Sequence, residues 1–369
     1  MNMVPVIGMV PDALPLDEMK PWNAARQMLV CTAVHDEAPD VKTFTFAAEG
    51  GGWFRYQPGQ FVTLELRTRD GDLHRTYTIS STPSRPYAIS VTVKAQPGSI
   101  GTRWMFDHLR PGSRVRAYGP NGHFTLNQRP GRKFLFVSAG SGITPTMSML
   151  RFLSDCAPAT DIVFINSARR PEDIIFREEL ALLAARMPNL SLGFLPESRS
   201  AGLVWAGLTG RIDRHKMALL APDFIRREVY CCGPEPFMKA VSGMLRAEGF
   251  DMGHYHQESF GAASIAQNVR QQAEERAAGD GIEGVAVDFL GSGRKAPCEP
   301  GQTVLQAARA AGVRIPAACE SGICGTCKVL KRDGEVDMRH NGGISNEDIA
   351  AGFILACCSR PLRDVAVEA

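Results

Sequence analysis

Three cysteines near the C-terminus are spaced C-x4-C-x2-C (Cys319, Cys324 and Cys327, in CESGICGTC), and Cys357 follows after a further twenty-nine residues. No other feature of the chain constrains its fold as tightly. Structural zinc loops use cysteine pairs about two to four residues apart in two knuckles. A spacing of four then two, closed by a distant fourth cysteine, is the ligand order of a [2Fe–2S] cluster. Two irons bridged by sulfide need four thiolates arriving from different directions, so one tight loop must supply three of them and a second segment the last. Gly322 and Gly325 suit such a loop, which needs left-handed backbone and close approach of N–H groups to sulfur. Five of the ten cysteines lie between positions 319 and 358. In a reducing compartment such clustering marks ligands more often than disulfides.

The rest of the 369-residue chain is long enough for two or three domains at roughly 150 residues each. With 44% hydrophobic and 22% charged residues it has the composition of ordered globular domains. Lys and Arg (41) balance Asp and Glu (39), so no charge field argues for nucleic acid or a membrane surface. There is no apolar run of the roughly eighteen residues that span a bilayer, and MNMVPVIGMVPDALPLDEMK lacks the basic start and apolar core of a signal peptide. The expectation is a cytoplasmic protein.

Residues 1–26, with Pro5, Pro11, Pro15 and Pro21, read as an extended lead-in. Short alternating segments then follow, among them KTFTFAAE, FVTLELRTR, HRTYTISS and YAISVTVKAQ, punctuated by Gly and Pro. They predict an antiparallel β-barrel over 27–129. The texture changes at Lys133, where KFLFVSAG is a continuous apolar run of the buried parallel-strand kind. Helical and apolar stretches alternate from there, predicting a doubly wound α/β domain over 130–256. Residues 257–282 include the polar QNVRQQAEERAAGDG and read as a linker. A third unit, 283–369, combines the strand VAVDFLGSG and the helix TVLQAARAAG with the cysteine loop, an α+β arrangement.

SAGSGITP (138–145) follows an apolar strand and opens a helix, so its N–H groups can reach a pyrophosphate whose charge the helix end favours. It is G-x-G-x-x-P rather than the dehydrogenase G-x-G-x-x-G. Alone, such a turn is more often a plain strand-to-helix connection, and Arg75-Thr76-Tyr77-Thr78 alone is an ordinary alternating strand.

Taken together, these segments carry a resemblance. GQTVLQAARAAGVRIPAACESGICGTC with ILACCSRPLRDV resembles ferredoxins, which implies a β-grasp for the third unit, and the first two units resemble the ferredoxin-NADP(+) reductase superfamily. In this domain order the chain resembles oxygenase reductases, a group that includes phthalate dioxygenase reductase and the reductase of glycine betaine monooxygenase. The resemblance implies a flavin held by Arg75 at its phosphate, Tyr77 along its ring system and Thr78 near N5. VTVK, with Val93 and Lys94, and the turn with Gly101 and Thr102 resemble that superfamily's second flavin element. RTYTISSTP is closer to FAD-binding members than to the FMN-binding phthalate-type branch, so FAD is expected over FMN. Gly140, Gly142, Thr144 and Pro145 would take the nicotinamide cofactor, and Cys232, Gly233 and Pro234 would lie beside its reactive ring. Phe260, in ESFG, resembles a residue that covers the flavin; the plainer reading is an apolar plug at the domain boundary. Cys357, four residues before Pro361, is favoured over Cys358 as fourth cluster ligand, leaving Cys358 a packed thiol. Arg169 and Arg170 leave NADPH open, with NADH preferred.

The expected activity is electron transfer from NADH through FAD and the cluster to an external acceptor, since the chain has no C-x-H…C-x-x-H pair and no C-x-x-C-H haem site. The resemblance implies a separate Rieske-type oxygenase, with glycine betaine as the substrate of that partner. The rivals are a reductase of a hybrid-cluster protein and a non-catalytic redox sensor.

Overall fold

The structure, a computed structural model, describes residues 27–49, 51–69, 71–126, 133–200, 204–260, 285–317, 320, 322, 325–340, 343, 344 and 346–369. The lead-in expected over 1–26 and most of the linker expected over 257–282 lie outside them, as do Cys319 and Cys324.

The first unit has strands β1 (Gln27–Ala38), β2 (Val41–Ala48), β3 (Phe61–Thr68), β4 (Gly71–Thr78), β5 (Ile89–Lys94) and β6 (Arg114–Asn121), with helix α1 (Ile100–His108) before the last strand. The six strands pair antiparallel in the order β4-β3-β6-β1-β2-β5. A bridge between Ile79, just past β4, and Val91 on β5 brings the two edges together, so the sheet closes into a barrel. β1 and β2 join through a tight hairpin whose Asp40 is left-handed (φ 59°), a conformation Asp tolerates better than most residues. The inward residues, including Leu29, Phe44, Phe46, Val62, Leu64 and Val91, make one core.

The second unit alternates β7 (Phe134–Ala139), α2 (Ile143–Cys156), β8 (Ile162–Ala168), α3 (Arg177–Arg186), β9 (Leu190–Pro196), α4 (Arg214–Leu220), β10 (Glu228–Cys232), α5 (Glu235–Ala247) and β11 (Tyr255–Glu258). All strand pairs are parallel, in the order β11-β10-β7-β8-β9. Every residue of β7, β8 and β10 is buried, which is why β7 reads as a continuous apolar run and why the polar Asn166, Ser167 and Glu228 of the other two are enclosed with it. α5 buries Met238, Val241 and Leu245, one stripe at helical spacing. The chain steps away from β7 in both directions, so a crevice opens at the C-terminal ends of β7 and β10. β11 carries the sheet past position 256; four residues are too few for a period to show in the sequence.

The third unit has β12 (Val285–Phe289), β13 (Arg294–Cys298), α6 (Val304–Ala310), β14 (Lys328–Asp333), β15 (Val336–Met338), α7 (Asn346–Ala350), β16 (Phe353–Leu355), β17 (Ser359–Pro361) and β18 (Val365–Glu368). Its main sheet runs β13-β12-β18-β14-β16, with β12 and β18 parallel and the other pairs antiparallel. α6 starts from a capping box in which Thr303 and Gln306 satisfy each other's backbone N–H groups, then packs Val304, Leu305, Ala307 and Ala308 on the sheet. This is a β-grasp.

Candidate functional site

β4 carries the R-T-Y-T segment, in register with β3 through the pairs Leu64–Arg75, Val62–Tyr77 and Phe61–Thr78. Thr78 is buried, and its hydroxyl has no partner among the described residues. Leaving a buried hydroxyl unmatched costs about 1–3 kcal/mol, so its position suits a bound group that completes it. Burial pushes the Tyr77 phenol up to about 12, against the pull of the Arg75 charge, and the ring stays neutral. Gly101, at the start of α1, lies on Arg75: a Cβ there would sit 3.1 Å from Arg75 Cγ. Thr102 donates its N–H to Ser99 Oγ (3.4 Å), and its hydroxyl oxygen accepts the Gln96 N–H (3.2 Å), which still leaves the hydroxyl proton to donate. Val93 is buried in the barrel core, and Lys94, half-buried, ends β5 beside this turn. A guanidinium beside a helix N-terminus, with an unmatched buried hydroxyl three residues further along the same strand, fits a flavin with its phosphates.

The crevice of the second unit is built by two segments some ninety positions apart in the chain. Gly140 is left-handed (φ 54°) and turns the chain from β7 into α2. A Cβ on Gly142 would lie 2.3 Å from the Cys232 carbonyl oxygen and 2.6 Å from the Gly233 nitrogen, so only glycine fits. Thr144 is buried and donates its hydroxyl to Ser141 O (3.1 Å), closing the first turn of α2; Pro145 behind it is also buried. Gly233 in turn packs on Ala139 and Phe237, and Pro234 caps α5. The glycine turn and the C-G-P segment are therefore one surface, which fits a nicotinamide dinucleotide.

Cys232 is fully buried, and burial holds its thiol well above the usual range. It is a neutral, small side chain here and not a nucleophile. Glu258 stands opposite it in the β10–β11 register. Its carboxyl is buried, with one oxygen unmatched among the described residues, and burial pushes it up to about 8. No motif marks Glu258 in the sequence, although it lies two positions from Phe260 in ESFG. Phe260 itself is 47% exposed. At the end of β8, Asn166 donates to Ser138 Oγ (3.0 Å). Arg170 is occupied by Glu172 (3.3 Å) and Asp173 (3.5 Å), and Glu172 also accepts the Ser200 hydroxyl. Acids at this strand end suit the ribose 2′-OH of NADH.

In the third unit Cys327 and Cys357 are buried side by side, the Cys357 N–H donating to Cys327 Sγ (3.4 Å). The neighbouring Cys327 and Cys358 thiols and the Gly322 N–H outweigh burial and hold the Cys357 thiol below its usual range. Gly322 and Gly325 are both left-handed (φ 70° and 68°), as is Glu320 (φ 52°), which Arg309 grips with two nitrogens (2.5 and 3.1 Å). Thiolates converging from a tight loop and a distant strand end are the donor set an iron–sulfur cluster requires. Cys358 is half-buried, its thiol directed to Leu355 O (3.7 Å).

Three cofactor sites on three packed units define a class: nicotinamide-dependent flavin reductases with an iron–sulfur outlet. The chain matches the oxidoreductase FAD-binding domain family over residues 29–126, the oxidoreductase NAD-binding domain family over 136–243 and the 2Fe–2S iron–sulfur cluster binding domain family over 287–362. It is 49% identical to the stachydrine N-demethylase reductase subunit of Rhizobium meliloti, across 94% of this chain and 98% of that one. It is 44% identical to the glycine betaine monooxygenase reductase subunit of Pseudomonas aeruginosa, across 94% and 96%. Phthalate dioxygenase reductase shares the fold over 94% of this chain and 98% of that structure, with a TM-score of 0.55 and 24% identity. The chain belongs to this family of oxygenase reductase subunits, which carry electrons from NADH through FAD and a [2Fe–2S] cluster to a separate oxygenase. No helix among the described residues is long and apolar enough to cross a membrane.

Proposed function

We propose that the acceptor is a Rieske-type oxygenase that removes an N-methyl group from a betaine, with glycine betaine as the leading substrate. The observation that carries this reading is the near full-length identity, 49% and 44%, to reductase subunits named for stachydrine N-demethylase and glycine betaine monooxygenase. The flavin supplies the exchange between two-electron nicotinamide and one-electron cluster chemistry.

The chain's residues bind, orient and exclude water. Arg75, the Gly101 N–H and the Thr102 hydroxyl would hold the flavin phosphates, with Lys94 beside them and Val93 in the barrel core behind. Tyr77 would lie along the ring system, and the Thr78 hydroxyl would donate near N5. Gly140, Gly142, Thr144 and Pro145 form the floor for the NADH pyrophosphate and nicotinamide, and Cys232, Gly233 and Pro234 its wall. The small neutral Cys232 side chain leaves room for close stacking, and Glu258, protonated at neutral pH, adds no charge there. Phe260, 47% exposed, would cover the flavin ring in the absence of nicotinamide. Cys319, Cys324, Cys327 and Cys357 ligate the cluster. Each cofactor has its own domain: 27–129 for FAD, 130–256 for NADH and 283–369 for the cluster. The cytoplasm is the compartment that keeps such thiols reduced.

Reconstitution tests the reading. With NADH, glycine betaine and the matching oxygenase, formaldehyde and dimethylglycine should form only when this chain is present. Undiminished product in its absence sinks the proposal.

A further inference from the structure

On β3 the side chains of Val62, Leu64 and Leu66 fill the barrel core. Phe61, Thr63 and Glu65 alternate to the opposite face, which an isolated barrel leaves in water. Yet Thr63 is 0% and Glu65 2% exposed. What covers Thr63 is the third unit: its hydroxyl is 3.0 Å from that of Thr326, 263 positions away, and Thr326 is itself buried. Thr326 directly precedes the cluster cysteine Cys327. The loop lies close on the barrel here, since a Cβ on the left-handed Gly325 would sit 3.5 Å from the Asn121 amide at the end of β6. At the margin Arg314 pairs with Asp72 of β4. On its other side Thr63 is in register with Thr76, the middle of the R-T-Y-T segment.

We propose that Thr63 is a positioning residue that, through its hydrogen bond to Thr326, holds the cluster loop on the flavin-binding strands and so sets the rate of electron passage between them. The transfer takes one electron from reduced flavin to the cluster, with no bond made or broken. Two adjacent strands and one hydroxyl pair separate the flavin segment from a cluster ligand. A hydrogen bond fixes direction as well as distance, which apolar contact does not. The proposal rests on the electron order NADH, flavin, cluster, and its test reads each stage separately.

The test uses the holoprotein with T63V, T63S, T326V and T63V/T326V. T63V strands the buried Thr326 hydroxyl. In stopped flow, NADH should bleach the flavin at the wild-type rate in T63V, while cluster reduction slows about tenfold, inside the hundredfold that about 1 Å of misplacement can cost. Hydrogen exchange of the Thr326 and Cys327 amides should quicken about tenfold in T63V, as expected when one buried hydrogen bond is lost. T63S should restore both readouts. T63V/T326V should recover much of the lost protection, because two methyl groups replace a matched hydroxyl pair. Wild-type cluster reduction and exchange in T63V would overturn the proposal. So would failure of T63S to rescue, additive loss in the double variant, or flavin bleaching slowed as much as cluster reduction. No flavin bleaching in the wild type would instead refute the assignment of the chain as an NADH-dependent reductase.

Discussion

At Cys232 and Glu258 burial outweighs charge. The two groups sit side by side at the C-terminal ends of β10 and the edge strand β11, both are held protonated, and neither is offset by a nearby cation among the contacts that set their titration. The cost falls on stability in a defined pH window. The Glu258 carboxyl ionises at about 4.5 in an unfolded chain and at about 8 in the folded one, so between those values the folded state binds more protons. Stability from this site is therefore lost as pH rises through the window and is undiminished below it. E258Q keeps the shape and cannot ionise. Its melting temperature relative to wild type should climb between pH 5 and pH 8, by an amount on the order of several degrees. Parallel melting curves across that range would show that Glu258 is ionised or solvated in the folded protein.

The turn between β7 and α2 couples two elements that the chain visits far apart. Gly142 has an ordinary backbone conformation; it must be glycine because Cys232 and Gly233 occupy the space a side chain needs. G142A should force the turn away from β10, cost about 1–3 kcal/mol by overpacking and raise the KM for NADH well above its effect on kcat for a saturating cofactor. Thermal unfolding and NADH titration read the two effects, and wild-type values for both would mean the turn has room to spare. The β3 strand teaches the converse lesson. Its period-two pattern predicts one wet face, and the structure buries both, because Glu65 is enclosed by His74, Arg116 and Tyr118 of the barrel itself and Thr63 meets Thr326 of the third unit.

Across the whole molecule, α2 is the bracket between barrel and nicotinamide domain. Ser148, Arg151 and Asp155, spaced along one helical face, each bind the segment 80–85 that leaves the barrel. Arg151 donates to Ser80 O (2.5 Å) and to both oxygens of Glu179, and lies over the Phe176 ring. R151A should cost about 1–3 kcal/mol and separate the melting of the two domains in calorimetry. A single unshifted transition would count against the bracket. Much of this architecture was legible beforehand. The [2Fe–2S] spacing, the glycine turn after an apolar strand and the change from period two to buried runs are all written in consecutive residues, where local geometry dictates which residue types serve. The bracket, the Glu258–Cys232 pairing and the Thr63–Thr326 contact were not. They join residues far apart in the chain, and the chemistry of their groups depends on the water that folding removes. Neighbouring residues therefore determined which cofactors this protein can hold, while only the tertiary structure decided how the sites face one another and which acid between them stays protonated.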